Sequence, residues 1–402
     1  MTNRQAIPAT VDSPPSPGKR LRIAFVCTQS FALNTLYRGL FAHLEAQGFA
    51  CEAVVGDSDY LASDPNLGDV RVHVIPMVRE PKPLTDLVSL IRLITFFARN
   101  RFDVIHVSTV KAAFLGSIAA RLTGQSALLF VVRTRIYQDR TGFGRWLYEK
   151  IDWTVCRLVR LVAPIGREMG EVMAADGVCP PEKLRYFGAG SSNGIDVDAF
   201  SRAPETVARG MAIRREAGVP DNVPLMLYVG RLAMGKGLNA LPVVMDRLAE
   251  AGSDAWLMLA GPVDWREPTE PEVLADLDAR PNLVRLGFLA DPAPLYAAAD
   301  LFLFPSSREG FGNVALEAQA AELPVVAFDT FGVREAVADR VTGLLAPLGD
   351  ADAFADHTVR LMEDAALRKQ MGQAAVERVR RDFSNARVWG DLTATLHELA
   401  RR

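Results

Sequence analysis

Short apolar runs alternate with longer helix-like segments in two separate blocks of this chain, and this alternation restricts its fold more than any other feature. The first block has predicted strands at 21–27, 50–55, 70–75 and 103–107 and predicted helices at 33–47, 84–99 and 112–122. The second has predicted strands at 225–229, 255–260, 283–286 and 301–304 and predicted helices at 238–249 and 313–321. Only helices are predicted after residue 351, with a break at Phe383 before the last helix, 386–402. Consecutive parallel strands need a crossover, which is usually a helix. The pattern therefore predicts an α/β chain with two doubly wound parallel sheets.

The length of the chain also favours two domains. A single hydrophobic core rarely serves more than about 250–300 residues, and this chain has 402. Residues 1–18 are rich in proline and poor in apolar residues, so we expect a disordered tail there. The remaining predicted parts are a Rossmann-like domain at 19–203, a second one at 204–383, and a final helix at 384–402 that can cross back to the first domain.

Charge is distributed unevenly along the chain, although the formal net charge is only −3. Residues 1–190 are net basic and the remainder is net acidic. A basic half can attract an anionic partner, such as a lipid-linked phosphate or an anionic membrane surface. Aromatic residues do not interleave the basic ones as single-strand binding requires, so nucleic acid is not expected as a partner.

The composition favours a soluble, cytoplasmic protein without a metal. No apolar run reaches the roughly 20 residues that span a bilayer, and no secretory leader is recognisable. The four cysteines lack C-x-x-C spacing, which argues against a zinc site or a disulfide framework. Asp-x-Asp pairs recur in several polar stretches, which indicates chance, so neither an obligatory metal nor a cofactor is expected.

The predicted helix at 84–99 is amphipathic. Its apolar side consists of Leu87, Leu90, Ile91, Ile94 and Phe97. We expect this side to pack into the core, and a helix lying in a membrane interface is the alternative.

A glycine-rich loop with two glutamates follows the predicted strand at 301–304. Its candidate binding residues are Glu309, Gly310, Phe311, Gly312, Asn313, Val314 and Glu317. Glycine lets the backbone approach a ligand, and the N–H groups at the start of the next helix favour an anion. Glu317 comes eight positions after Glu309, so the two carboxylates do not share one helix face. Each carboxylate is therefore expected to hold a different part of one elongated ligand.

A second glycine-rich loop follows the predicted strand at 225–229. It runs from Gly230 through Arg231 to Lys236 and Gly237. This spacing is close to the phosphate loop of nucleoside triphosphatases, but that loop needs Ser or Thr where Gly237 stands. Without the hydroxyl the magnesium ligand is missing, which argues against a triphosphatase.

The segment from Glu309 to Glu317 resembles the Glu, seven residues, Glu signature of retaining glycosyltransferases of family 4. The resemblance extends from about residue 19, includes Gly188–Asp196 and the segment from Gly332 to Leu345, and is looser in the first half. It implies a GT-B architecture, with two Rossmann-like domains across a cleft. It also implies that Glu309 and the following amides bind the donor sugar, that Glu317 binds the ribose, and that Arg231 and Lys236 clamp the diphosphate. The donor site further includes Gly230, Gly287 and Phe288.

Candidates in the first half are fewer. His106 closes the predicted strand at 103–107, at the edge where doubly wound sheets bind ligands, and it is a candidate catalytic residue. Similar enzymes often carry a second His two residues later, where this chain has Ser108. Lys111 lies in a segment that resembles the subgroup acting on polyprenyl-diphosphate carriers, so it is a candidate for the acceptor phosphate; the alternative is a solvated helix start. Arg133, with Arg135, is a further acceptor candidate.

The resemblance implies transfer of a sugar from a nucleotide donor, expected to be a UDP-sugar, to a glycan or lipid-linked glycan acceptor in surface polysaccharide synthesis. The implied mechanism is attack on the same face of the sugar as the departing diphosphate. A sugar-nucleotide epimerase of the same fold and a non-catalytic sugar-nucleotide binder remain alternatives. A glycosidase fits less well, because it needs two carboxylates flanking one bond.

Overall fold

The computed structural model describes residues 20–61, 67, 70–78, 80–135, 137–138, 140–191, 193–265 and 267–401. The tail expected at 1–18 lies outside these residues. Contacts divide the described chain into two compact units. The first unit comprises the described residues of Met1–Phe130, Leu158–Arg160 and Thr393–Arg402, and the second comprises those of Val131–Arg157 and Leu161–Leu392. The predicted domain bounds remain predictions.

The first parallel sheet is built from the N-terminal part of the chain. Its strands are β1 (Leu21–Val26), β2 (Phe49–Val55), β3 (Arg71–Val74), β4 (Val104–Ser108), β5 (Leu128–Val132) and β6 (Leu161–Pro164). The described strands follow the order β3-β2-β1-β4-β5-β6. The helices between and after them are α1 (Phe31–Leu36), α2 (Leu40–Ala46), α3 (Pro83–Arg99), α4 (Val110–Leu122), α5 (Gly142–Leu158) and α6 (Arg167–Ala175). The central strand β1 is almost continuously apolar, as expected for a strand covered on both faces.

The second parallel sheet lies wholly in the second unit. Its strands are β7 (Leu225–Val229), β8 (Trp256–Ala260), β9 (Leu283–Gly287), β10 (Leu301–Phe304), β11 (Val325–Phe328) and β12 (Gly343–Ala346). The described strands follow the order β12-β11-β10-β7-β8-β9. The accompanying helices are α7 (Pro204–Glu216), α8 (Ala240–Glu250), α9 (Pro271–Asp278), α10 (Ala293–Ala298), α11 (Asn313–Ala320), α12 (Val333–Ala336), α13 (Ala351–Glu363), α14 (Ala365–Asp382) and α15 (Asn385–Ala400). The prediction of two doubly wound α/β sheets is confirmed.

Most predicted elements recur with shifts of one or two residues, and β7 and β10 have the predicted bounds. The break expected at Phe383 is confirmed, because Phe383 is the C-cap of α14 and α15 begins at Asn385. The single helix predicted at 33–47 is wrong. Gly39, with φ of 75°, interrupts it and separates α1 from α2, because a left-handed residue cannot continue an α-helix.

The buried face of α3 overlaps only in part with the predicted apolar side. Its buried residues are Ser89, Leu93 and Phe97, and Leu90 and Ile94 of the predicted side are partly buried. Four apolar side chains on another face are exposed, by 82% for Leu84 and by about half for Leu87, Val88 and Ile91. Core packing therefore explains only part of its apolar pattern. Among the described helices, none is long and apolar enough to cross a bilayer.

Candidate active site

Three loops of the second unit follow neighbouring parallel strands and form the candidate site. Strand β7 pairs with β10 on one side and with β8 on the other. The loops that follow these strands begin at Gly230, Pro305 and Gly261. Because carboxyl ends of parallel strands meet at one sheet edge, residues far apart in sequence lie together there.

An ion pair joins two of these loops. The ammonium of Lys236 donates to a carboxylate oxygen of Glu309 over 2.6 Å, and both side chains are largely buried. Burial strengthens such a charge-assisted hydrogen bond, since water competes less for either group. The structure thus brings together the residues expected to hold the diphosphate and the sugar.

Backbone contacts hold the same two loops against each other. The N–H and the hydroxyl of Ser307 both donate to the carbonyl of Gly235, over 3.2 and 3.1 Å. Gly237 has φ of 67°, and a Cβ there would lie 1.8 Å from the carbonyl oxygen of Pro305. A Ser or Thr, which the phosphate loop of triphosphatases has at this position, would therefore not fit here.

Arg231 is held by an acidic residue that sequence reasoning missed. Its guanidinium donates to the carboxylate of Asp264, a buried residue of the loop after β8. The hydroxyl of Tyr228 donates to the carbonyl of Arg231 over 2.8 Å. The Arg231 side chain remains more than half exposed, so a ligand can reach it.

Glu317 lies one to two turns into α11 and has a perturbed pKa. Burial raises the pKa of its carboxyl to about 7, partly opposed by the hydroxyl of Tyr296, which donates to Glu317 over 2.9 Å. Glu309 and Glu317 thus have different partners, Lys236 and Tyr296.

The segment between the two glutamates is enclosed by its neighbours. A Cβ on Gly310 would lie 2.7 Å from the carbonyl oxygen of Arg133, so only glycine fits there. The side chain of Phe311 is buried and its ring packs against that of Phe383, with centroids 5.8 Å apart. Gly312, with φ of 80°, precedes α11. Phe311 thus anchors the loop through its ring, and only its backbone can serve a ligand.

Glu335 ties this region to the start of α6. The N–H groups of Arg167 and Glu168 both donate to one carboxylate oxygen of Glu335, over 2.6 and 3.1 Å. This arrangement satisfies two of the N–H groups that a helix leaves free at its start. Burial raises the pKa of Glu335, and the backbone N–H groups oppose that rise.

The remaining donor candidates occupy more open positions. Gly287 ends β9, and its carbonyl accepts from the N–H of Gly261 over 2.7 Å. The side chain of Phe288, directly after it, is largely exposed. Asn313 is exposed and Val314 partly buried at the start of α11.

The first unit holds His106 and Lys111. His106 is 1% exposed on β4, and its ring lies 4.7 Å from that of Phe25 and 5.5 Å from that of Tyr37. Lys111, in the first turn of α4, forms an ion pair of 2.7 Å with Asp86 of α3. Lys111 is therefore not the freely solvated helix start of the alternative interpretation.

Arg135 stands close to Arg133 and has several partners in the second unit. Its guanidinium donates to Gln138 over 2.8 Å and lies over the ring of Phe331, 4.8 Å from the centroid. These contacts indicate a packing role for its side chain.

Comparison with known proteins identifies the family. Residues 211–378 match the family model described as glycosyl transferases group 1, and residues 33–190 match the glycosyl transferase 4-like domain. An uncharacterized glycosyltransferase of Methanocaldococcus jannaschii, MJ1607, is 32% identical over 90% of this chain and 93% of its own length.

Two further relatives have more specific names. The capsular polysaccharide biosynthesis glycosyltransferase CapM of Staphylococcus aureus is 27% identical over 89% of this chain and 92% of its own. The UDP-Gal:alpha-D-GlcNAc-diphosphoundecaprenol alpha-1,3-galactosyltransferase of Escherichia coli is 24% identical over 74% and 76%.

Solved structures share the fold. Anabaena Alr3699/HepE, in complex with UDP and glucose, superposes with a TM-score of 0.78 over 94% of this chain and 100% of its own, at 19% identity. Together with the two Rossmann-like sheets, these matches show that the chain belongs to the family 4 type of glycosyltransferases with the GT-B fold.

Proposed function

We propose that this glycosyltransferase transfers a hexose from a UDP-sugar to a glycan carried on a polyprenyl diphosphate, with retention of the anomeric configuration and without a metal. The contact between Lys236 and Glu309 carries the proposal. In the proposed roles, Lys236 would be a cation for the diphosphate and Glu309 a carboxylate for the sugar, and both lie at the sheet edge where doubly wound folds bind nucleotides.

The donor would lie along the second unit. Lys236 and Arg231 would hold the diphosphate, and the N–H groups at the start of α11 would add donors aimed at the same anion. Glu309 would accept hydrogen bonds from the sugar hydroxyls. Glu317 would accept those from the ribose, on the helix that starts four residues after Glu309.

The reaction would proceed on one face of the sugar. The acceptor hydroxyl forms the new bond to the anomeric carbon while the bond to the diphosphate breaks. The electron pair of that bond stays on the phosphate oxygen, which takes the proton of the acceptor hydroxyl. Lys236 and Arg231 stabilise this negative charge as it develops, and fixed charges of this kind supply much of the catalysis in such sites.

The same two cations would make a metal unnecessary. Metal ions in phosphoryl chemistry neutralise charge on the leaving phosphate, and two fixed cations can do so without one. Among the described residues, no group of three or more His, Cys, Asp or Glu side chains is arranged to hold a metal. If turnover survives excess EDTA and is not raised by Mg²⁺ or Mn²⁺, this part of the proposal holds.

The proposed acceptor residues are His106 and Lys111 in the first unit and Arg133 in the second. Lys111 would have to exchange Asp86 for the acceptor phosphate, since its ammonium is engaged by that carboxylate. The name of the Escherichia coli relative, a diphosphoundecaprenol galactosyltransferase, supports a lipid-linked acceptor, and the name of CapM supports surface polysaccharide synthesis.

A lipid-linked acceptor requires the enzyme to work at a membrane, so we infer peripheral association. The exposed stripe of α3, formed by Leu84, Leu87, Val88 and Ile91, supports it. These positions repeat at helical spacing, as in helices that lie in the headgroup region. Replacing Leu84 and Leu87 by Gln should lower binding to zwitterionic and anionic vesicles alike, as measured by flotation.

The decisive experiment measures transfer directly. The purified chain is incubated with a panel of UDP-sugars, alone and with short-chain polyprenyl-diphosphate sugars, while released UDP is measured and the product linkage is read by NMR. An α-linked product from an α-linked donor, with UDP release only when the acceptor is present, supports the proposal. Conversion of the donor sugar without acceptor would indicate an epimerase, and tight UDP binding without release under any condition would indicate a binding protein.

A further inference from the structure

The helix α5 presents an aromatic and basic face to solvent. Phe143, Trp146, Lys150, Trp153 and Arg157 follow one another at spacings of three or four residues, so they lie on one side of the helix; we name them the α5 face. The exposed fractions are 74% for Phe143, 53% for Trp146 and 39% for Trp153. The opposite side of the helix supplies its buried residues, which are Asp152, Val155 and Cys156. Packing within the second unit therefore does not explain the aromatic residues.

Cations and rings on this face contact each other directly. The guanidinium of Arg157 lies 5.0 Å from the ring centroid of Trp153, and the ammonium of Lys150 lies 5.8 Å from it. The rings of Phe143 and Trp146 stack with centroids 5.5 Å apart. Such contacts favour a fixed orientation of the exposed rings, because a neighbouring cation is attracted to the face of a ring.

The charged residues on the α5 face are all basic. Arg145 is a further exposed cation of α5, on another side of the helix. The two acids of α5 do not offset it: Asp152 is buried, and Glu149 is partly buried and lies 4.0 Å from Arg145. The exposed side of α5 is therefore complementary to an anionic surface.

We propose that the α5 face binds the anionic headgroup layer of a lipid bilayer. Trp is favoured where apolar and polar surroundings meet, as they do at the boundary of headgroups and acyl chains, and Lys and Arg are attracted by acidic lipids. The proposal deepens the proposed function and rests on it, because a lipid-linked acceptor would be met at such a surface. It assigns a preference for acidic lipid to α5 and apolar contact to the exposed stripe of α3.

Alternative occupants have different requirements. A second copy of the chain would cover three aromatic side chains but would have to bury Lys150 and Arg157 without acidic partners on the same face, which is costly. A neutral glycan would stack on the rings but has no use for the cations above Trp153. A bilayer with acidic headgroups would contact both the aromatic rings and the cations of the α5 face.

The test compares binding of the full chain to vesicles of phosphatidylcholine with binding to vesicles that also contain phosphatidylglycerol, by flotation at low and high salt. Wild type is expected to favour the acidic vesicles at least tenfold at low salt and to lose that preference at high salt. The variant Lys150→Glu/Arg157→Glu should abolish the preference, and Trp146→Ala/Trp153→Ala should lower binding to acidic vesicles at least fivefold. Arg380→Glu and Leu348→Ala change an exposed cation and an exposed apolar residue elsewhere and should bind like wild type.

Several results would overturn the proposal. One is equal binding of wild type to both vesicle types, and another is an unchanged preference in the Lys150 and Arg157 variant. If light scattering shows concentration-dependent dimers and the Trp146 and Trp153 variant abolishes them, the α5 face binds a second copy of the chain. If the same variant abolishes retention on a neutral glycan matrix, the α5 face binds a glycan.

Vesicle binding and catalysis are measured separately. The vesicles contain no acceptor, and UDP release is followed with a short-chain acceptor in solution, which every α5 variant should use at wild-type rate. Normal turnover without vesicle preference would refute the α5 inference alone. Vesicle preference without turnover would refute the proposed function alone.

Discussion

The ammonium of Lys236 and the carboxylate of Glu309 lie 2.6 Å apart although 73 positions separate them in the chain. Neighbouring parallel strands, β7 and β10, deliver them to one place. This pair makes Lys236 and Glu309 interdependent: each holds the other in position, and a donor with a diphosphate and a sugar would engage both.

Loss of either member of this pair should abolish most turnover. Lys236→Ala removes a fixed cation from the leaving diphosphate, and Glu309→Ala removes the contact to the sugar, so each should lower kcat/KM by about 10²–10³-fold. The double variant should be little worse than either single one, because groups that act together are not additive. UDP release under subsaturating donor measures all three.

Arg308, directly before Glu309, provides the control. Its exposed guanidinium lies 3.8 Å from Glu267, and Arg308→Ala should change kcat/KM by no more than about threefold, since exposed ion pairs contribute little. A Lys236→Ala enzyme as active as Arg308→Ala would contradict the assigned role of Lys236.

The methyl group that Gly237→Ala adds should disrupt the contact between the loop after β7 and the loop after β10. Gly237→Ala would place a Cβ 1.8 Å from the carbonyl oxygen of Pro305, at φ of 67°. We expect a loss of about 1–3 kcal/mol in unfolding free energy, because both the contact and the left-handed backbone oppose a side chain. Gly235→Ala is the matched variant, since a Cβ there meets nothing within 4 Å. Urea unfolding should rank Gly237→Ala well below Gly235→Ala, and equal stabilities would refute this account of the loop.

Asp264 should act on the donor through Arg231. Asp264→Ala frees the guanidinium that its carboxylate holds, so the donor KM should rise about 5–20-fold with a smaller change in kcat, the loss expected for one hydrogen bond between charged groups. Asp264→Asn retains an acceptor and should recover part of the affinity. An equal fall in kcat for both variants, without a change in KM, would show that Asp264 has another role.

The sequence predicted the two sheets well because buried parallel strands are continuous apolar runs, and such runs are visible without a structure. The resemblance to family 4 implied that Lys236 and Glu309 hold neighbouring parts of one donor, and the structure brings the two side chains into contact. Contacts between residues that follow different strands depend on which strands are neighbours in the sheet. Asp264 is 33 residues from Arg231, follows a different strand, and belongs to no motif that marks it.

Helix faces were harder to predict than helix positions. The apolar residues of α3 are numerous enough to define more than one face, and only tertiary packing decides which face is buried. Ser89, a polar residue, is on the buried side, where the carbonyls of Thr85 and Pro76 accept from its hydroxyl over 2.8 and 2.5 Å, whereas Leu84 is exposed. A count of apolar positions cannot foresee a buried hydroxyl whose acceptors are backbone carbonyls of the helix and of the loop before it.

Donor affinity should depend on pH through Glu317. Burial raises the pKa of this carboxyl to about 7, so at lower pH it is protonated and is a poorer acceptor for the two ribose hydroxyls. The affinity for a UDP-sugar should therefore rise several-fold between about pH 6 and about pH 8. Calorimetry with a UDP-sugar, whose phosphates do not titrate in this range, measures the effect.

The variant Glu317→Gln provides the control for that titration. It should bind about 10–100-fold more weakly at high pH and show no pH dependence, because the amide cannot ionise. A pH dependence that persists in Glu317→Gln would assign the titration to another group.

Asp152 should lower the stability of the protein as pH rises. This carboxyl is buried on α5; burial raises its pKa to about 7, partly opposed by the charge of Arg135. Between an unfolded pKa of about 3.9 and the folded value, the folded state binds a proton that the unfolded state has lost, so unfolding free energy falls by about 1 kcal/mol per pH unit. The stabilising proton is fully present below the unfolded pKa and is lost as pH rises through the folded one.

Asp152→Asn does not titrate, and its thermal midpoint relative to wild type should therefore rise by several degrees from about pH 5 to about pH 8. Asp221→Asn, at an exposed position, should keep a constant difference from wild type. Parallel curves for wild type and Asp152→Asn would mean that Asp152 is ionised in the folded protein throughout this range, with Arg135 close enough to compensate its burial.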